Sequence, residues 1–188
     1  MAYDALVSMK HRRLEPANRV AWYFLGGSAI GHFAGGGVWG FAITLPQLNQ
    51  WTHGTQVTAS HGHFAFFGGF AMLVLAAIYY IVPQVKGLGP IQETRGMWGF
   101  WLMSIGMLAM VLAFSAAGIV QVYLYRLLGL DFMMVRTQYV SFWIFWVWLF
   151  GLLLFLPGVL IYAWDFFALG ARTLPMPPPA EEPRPAVA

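Results

Sequence analysis

With 188 residues, 60% of them hydrophobic and only 9% charged, and a mean hydropathy of +0.66, the chain does not have the composition of a water-soluble globular domain. Its formal net charge of +3 lies outside the long apolar stretches, so it speaks for orientation across a bilayer and not for nucleic-acid binding. Cysteine is absent, which excludes disulfides, thiolate iron–sulfur ligation and covalent haem attachment through C-x-x-C-H within this sequence.

Residues 1–19 form a basic lead-in, whose stretch 2–9 reads as the frayed end of another helix and whose close is the turn signal Pro16-Ala17-Asn18. His11 stands there among Lys10, Arg12 and Arg13 and reads as a solvated or headgroup-facing residue. A bilayer span takes about 20 mostly apolar residues, and the first is expected over 20–47. It carries Gly27, Gly31 and Gly35 at four-residue spacing, with Gly36 and Gly40 beyond them. Such small-residue ridges let a neighbouring helix approach closely, so tight packing is read ahead of any direct cofactor contact.

A short loop at 48–56 is centred on Trp51-Thr52-His53-Gly54-Thr55, and the second span, 57–82, opens on Ser60-His61-Gly62-His63. The loop at 83–96 is rich in Gly and Pro, and the third span covers 97–125. Residues 126–138 are the least regular connection and are expected partly in the membrane interface. The fourth span covers 139–165, with a kink expected at Pro157 because proline removes one helical donor and crowds the carbonyl four residues back. From 173 onward the Pro-rich tail lacks the apolar content to build a core and is expected to be disordered. The organisation is therefore a lead-in (1–19), a four-helix transmembrane region (20–172) and a tail (173–188), without internal repeats. Trp22, Trp51, Trp98, Trp101 and Trp164 fall near span ends, where interfacial belts are expected.

No Lys, Arg, Asp or Glu interrupts these spans before their ends. Lys10, Arg12, Arg13, Arg19, Lys86, Arg95, Arg172 and Arg184 fall on one side of the membrane, and only Arg126 and Arg136 on the other. That asymmetry puts both termini in the cytoplasm and the His61/His63 end outward. The basic start runs into a full-length span without an A-x-A site, so no cleavable signal is expected.

The chemistry concentrates on histidine. His61 and His63, at i and i+2 on a helix, are about 200° apart around its axis. They cannot comfortably share one metal ion, but each can hold the iron of its own plate-like cofactor on either side of the helix. Two neutral imidazoles in apolar surroundings carry a polar cost that calls for a role, and imidazole is a common axial ligand of haem iron. Gly62 leaves no side chain between the two faces, while Phe64, Phe66 and Phe67 offer flat apolar walls. On residue chemistry alone two-haem ligation is favoured, with a satisfied structural pair as the alternative. His53 reads equally as a surface histidine and as a hydrogen-bonding partner of an acidic cofactor group. His32 does not qualify as a second ligand beside His63. At 1.5 Å per residue it lies ~24 Å below the outer end of its helix, against ~10 Å for His63, so it reads as a packed or hydrogen-bonded residue.

The residues around this pair resemble a known family. Gly35-x-Gly37-Val38-Trp39-Gly40-Phe41, the run from Thr52-His53-Gly54-Thr55-Gln56 to His61-Gly62-His63-Phe64-Ala65-Phe66-Phe67-Gly68, Met97-Trp98-Gly99-Phe100-Trp101-Leu102-Met103 and Phe114-Ser115-Ala116-Ala117-Gly118-Ile119-Val120-Gln121-Val122 are similar to the large subunit of bacterial cytochrome c-dependent nitric oxide reductases, members of the haem-copper oxidase superfamily. The likeness runs from about Arg12 to the end of the third span, with the fourth matching in character.

This resemblance implies an all-α polytopic membrane fold, four transmembrane helices corresponding to the last four of a twelve-helix bundle. It implies His61 as the proximal ligand of high-spin haem b3, His63 as one axial ligand of low-spin haem b, and His53 near the haem propionates. The implied reaction reduces two nitric oxide molecules to nitrous oxide and water, with electrons from a membrane-anchored cytochrome c subunit, in the bacterial inner membrane. The second haem b ligand, the three histidines of the non-haem iron site and the functional glutamates belong to earlier helices of the family and have no counterpart here. A fragment, a truncated product or one half of a split subunit is therefore expected, inactive without the remaining helices. The rival readings are a piece of an oxygen-reducing terminal oxidase, a non-catalytic haem-binding electron carrier, and a cofactor-free scaffold.

Overall fold

A computed structural model of the chain describes residues 18–88 and 92–169, together with Val7. The rest of the 1–17 lead-in, His11 included, and the 173–188 tail lie outside the described residues. Among the described residues the fold is entirely helical. Helix α1 covers 19–44, α-helical at both ends with a wider π-type stretch at His32–Trp39. The short α2, Pro46–Thr52, follows. Then come α3 (Gln56–Val85), α4 (Thr94–Leu127) and α5 (Phe132–Ala168).

Three of these, α3, α4 and α5, are long and apolar enough to cross a membrane. Helix α1 packs along α3 but is not among them. Its glycines at 26, 27, 31, 35, 36, 37 and 40 add no apolar surface, and His32 subtracts from it. The same glycines explain its packing: a Cβ on Gly31 would collide with the Gly68 backbone of α3, and one on Gly27 would meet the Met72 sulfur at 2.6 Å. The expected ridge at 27, 31 and 35 does face a neighbouring helix. Gly36 does not belong to it, since a Cβ there would meet nothing within 4 Å.

Local signals set the helix ends. Asn18 accepts from the Ala21 amide at 3.0 Å and Asp131 from the Met134 amide at 2.9 Å, each satisfying a free donor of a first helical turn. The Asp131 cap corrects the sequence reading of 126–138 as the least regular connection. The break is confined to 128–131, where Gly129 supplies a φ of 67°, and α5 begins at Phe132. The loop read at 48–56 likewise contains α2, started by Pro46 at its first turn. Pro157 follows a π-type stretch, Gly151–Phe155, where the wider turn relieves the carbonyl that proline crowds.

The elements pack in chain order, α1 on α3, α3 on α4 and α4 on α5. Helix α4 is central, with 39% of its most apolar stretch buried, whereas α5 is peripheral at 11%. A small buried cluster of Ala117, Val135 and Val140 lies toward the histidine end of the bundle, called the outer end, and the main core lies toward the opposite, inner end. There Val20, Phe24, Tyr79, Phe100 and Met103 close together, with the Phe24 and Tyr79 rings stacked at 5.9 Å. Asp165 joins them. Sequence places it at the end of a span; the structure puts it inside α5, buried, accepting a 2.8 Å hydrogen bond from the Tyr79 hydroxyl.

Candidate functional site

The outer end of α3 is fixed before its histidines begin. Gly54, with φ of 73°, turns the chain, and Thr55 caps the helix by accepting from the Val57 amide at 3.3 Å. The Gln56 amide donates across to the Gln121 side chain of α4 at 2.7 Å. One turn on, fully buried Ser60 lies 2.8 Å from the Ser115 hydroxyl and 3.2 Å from the Val111 carbonyl, both on α4. These bonds fix how α3 is rotated against α4.

His61 turns toward α1. Its Nδ1 is 2.9 Å from the Gly35 carbonyl, and its ring edge covers Gly40, where a Cβ would approach to 2.9 Å. His63 turns the other way, toward α4, with its Nδ1 2.9 Å from the Ala59 carbonyl and its ring 4.6 Å from that of Phe114. A carbonyl oxygen only accepts, so Nδ1 is the donor in both residues. In a neutral imidazole this leaves the Nε2 lone pair uncommitted, the form in which histidine binds iron, with the Nδ1 bond orienting the ring. The two residues therefore have the chemistry of single axial ligands to two separate planar groups. Among the described residues no three His, Asp or Glu side chains gather as a metal site.

Beside His63 lies a cavity of about 500 Å³ between α3, α4 and α5, within the size range of cofactor sites. Met110, Phe114 and Trp148 give it apolar walls, and Gln56 and Arg136 supply polar groups. In the sequence Arg136 speaks only for membrane orientation. The signal available was that Arg126 and Arg136 are the sole basic side chains on the histidine side, where an anionic ligand group would need a cation.

The other candidates separate. His53 is exposed in the outer loop, its carbonyl accepting from the Arg126 guanidinium at 3.0 Å. His32 lies against Gly69, six residues past His63 and so about 9 Å deeper along α3. Its ring packs edge-on to Phe70 at 5.3 Å, is exposed, and makes no hydrogen bond among the described residues. Of the three phenylalanines read as walls, Phe66 alone is free at 72% exposed. Phe67 packs on Phe155 at 5.1 Å, and Phe64 lies against Gly35 and Gly68 of the α1 contact. Gly62 relieves no crowding within this chain, since a Cβ there would meet nothing within 4 Å.

Known proteins share much of this sequence. Residues 2–154 match the family model of cytochrome c and quinol oxidase polypeptide I. The chain is 38% identical to a nitric oxide reductase subunit of Stutzerimonas stutzeri over 188 aligned positions, which cover 96% of this chain and 39% of that protein. A cbb3-type cytochrome c oxidase subunit of the same organism is 28% identical over 145 positions, covering 74% of this chain and 30% of the relative. A cytochrome c oxidase subunit 1 homologue of Azorhizobium caulinodans is 27% identical over 130 positions, 66% of this chain and 24% of the relative. The chain thus spans well under half the length of the curated relatives it matches.

Proposed function

The chain belongs to the cytochrome c and quinol oxidase polypeptide I family, a family of membrane oxidoreductase subunits, and from that premise we propose that it forms the haem-bridging part of a nitric oxide reductase. In this reading His61 would hold the iron of high-spin haem b3, and His63 would be one of the ligands that hold low-spin haem b. The observation that carries the proposal is the pair of imidazoles on opposite sides of α3, each with Nδ1 engaged by a backbone carbonyl and Nε2 left to bind iron. When bound, the two haems supply one-electron transfer and an iron position at which nitric oxide is reduced to nitrous oxide and water.

The chain's own residues hold and orient. Gly35 and Ala59 fix the two rings through their carbonyls, and the lone residue between the histidines gives the shortest covalent path from one ligand to the other. The cavity beside His63 would accommodate part of one such group, and Arg136 and Gln56 in its lining would bind anionic substituents. Domains 20–172 and 173–188 then correspond to the bundle and its cytoplasmic tail. Both termini face the cytoplasm, the histidine end faces the periplasm, and a cytochrome c-bearing subunit delivers electrons there. The second haem b ligand and the non-haem iron site come from further transmembrane helices.

Nitric oxide is favoured over oxygen as substrate because the likeness to the nitric oxide reductase subunit, at 38%, exceeds that to the oxidase subunits, at 27% and 28%. The complete complex, assayed with a reduced artificial donor, is expected to consume nitric oxide and release nitrous oxide in a 2:1 ratio. Oxygen uptake without nitrous oxide formation would move the chain to the terminal oxidases.

A further inference from the structure

We infer that Ser60 and Ser115 form a positioning pair that sets, through Phe114, the ring plane of His63 and hence the electronic character of the haem it holds. The inference rests on the haem-ligand reading of His63 given above.

The proton count assigns the bonds. The Ser115 hydroxyl has one proton and lies 2.7 Å from the Val111 carbonyl of its own helix, so it donates there. Its oxygen is then an acceptor for the Ser60 hydroxyl at 2.8 Å, with the Val111 carbonyl a longer alternative at 3.2 Å. Ser60 is 0% exposed, so this bond is shielded from competition by solvent. An alanine pair would fill such a contact between apolar helices; two serines make it directional, and fix how α4 is rotated against α3.

That rotation reaches the ligand through one residue on α4 and about one helical turn on α3, from Ser60 to His63. Phe114 precedes Ser115, and its ring lies 4.6 Å from the His63 ring at 36°. His63 is otherwise held by the single Nδ1 bond to Ala59, about which the imidazole can swivel. Phe114 supplies the second restraint and also lines the cavity. His61 is held differently. Its carbonyl partner and its packing contact, Gly35 and Gly40, both lie on α1. Loosening the serine pair therefore acts on one ligand and spares the other.

The test uses the complete haem-loaded complex and electron paramagnetic resonance of its haems. Ser115→Ala and Ser60→Ala are each expected to shift the largest g value of the low-spin haem and its midpoint potential, leaving the high-spin signal unchanged. Phe114→Leu should give a shift of the same kind, and Ser115→Ala added to Phe114→Leu should add nothing further. Ser115→Thr, which keeps the hydroxyl, should restore the parent spectrum. An unshifted low-spin signal in both folded, haem-replete alanine variants overturns the inference, as does an equal disturbance of both haems or full additivity with Phe114→Leu. His63→Ala separates the two levels. If the low-spin haem survives it, the ligand reading fails; if it is lost while the serine variants change nothing, the positioning role alone fails.

Discussion

The two ends of this bundle solve opposite problems. At the inner end α1, α3, α4 and α5 close on themselves. Val20 and Phe24 are fully buried, and the buried carboxylate there, Asp165, has its donor in Tyr79. At the outer end the polar groups are half-finished. Each imidazole has one nitrogen engaged and one free, and a cavity of about 500 Å³ opens beside His63. In lipid, an unsatisfied polar group is expensive. Most of the buried packing lies at the inner end, and in the proposed function the free nitrogens and the cavity of the outer end are completed by haem groups.

Substitutions can break that division, and the largest effect is expected from the ligands. His61→Ala in the complete complex should abolish nitric oxide consumption, measured with a nitric oxide electrode, while the helical content seen by circular dichroism stays unchanged. A variant with parental turnover would show that the outer end is not the reaction site. Next comes the inner contact of α1 with α3. Gly31→Ala drives a methyl group into the Gly68 backbone, a clash that neither helix can absorb by moving a side chain. A loss of about 1–3 kcal/mol is expected from overpacking of this kind, read as a lower thermal midpoint in detergent.

Tyr79→Phe should cost somewhat less, near the lower end of about 1–3 kcal/mol, because it strips the buried Asp165 of its hydroxyl donor. Asp165→Asn alone, whose amide oxygen still accepts the Tyr79 hydroxyl, should cost less than Tyr79→Phe. Arg136→Gln should leave thermal stability unchanged, since the side chain is exposed, yet lower the haem retained after extended dialysis. If its effect falls on stability and not on haem, the cavity is part of the scaffold and the division between the ends is wrong. Gly62→Ala is the smallest. A Cβ there meets open space and helical alanine is favoured over glycine by roughly 0.5–1 kcal/mol, so the thermal midpoint of this segment should hold or rise slightly.

Much of this was legible in the sequence because lipid imposes simple rules. Apolar runs between turn residues located α3, α4 and α5, and the four-residue spacing of Gly27, Gly31 and Gly35 located the α1 contact. Helical periodicity alone placed His61 and His63 on opposite sides and put His32 at a different depth. What the sequence did not disclose depends on partners distant in the chain. Nothing local marks Asp165 as buried, since its donor is 86 residues away. Phe64 and Phe67 looked like cofactor walls until α1 and the Phe155 side chain claimed them. Arg136 carried only a charge until the fold brought it to the His63 cavity. The glycines that make α1 pack so closely also dilute its hydropathy, so the feature that identifies its partner obscures its span.

The central claim is that α3 carries two independent haem ligands, and it is tested most directly by recording the low-spin and high-spin haem signals of His61→Ala and His63→Ala side by side in the complete complex. The account predicts a crossed result: His63→Ala loses the low-spin signal and keeps the high-spin one, and His61→Ala does the reverse. Two variants that lose the same signal, or a folded pair in which both signals persist, would contradict it.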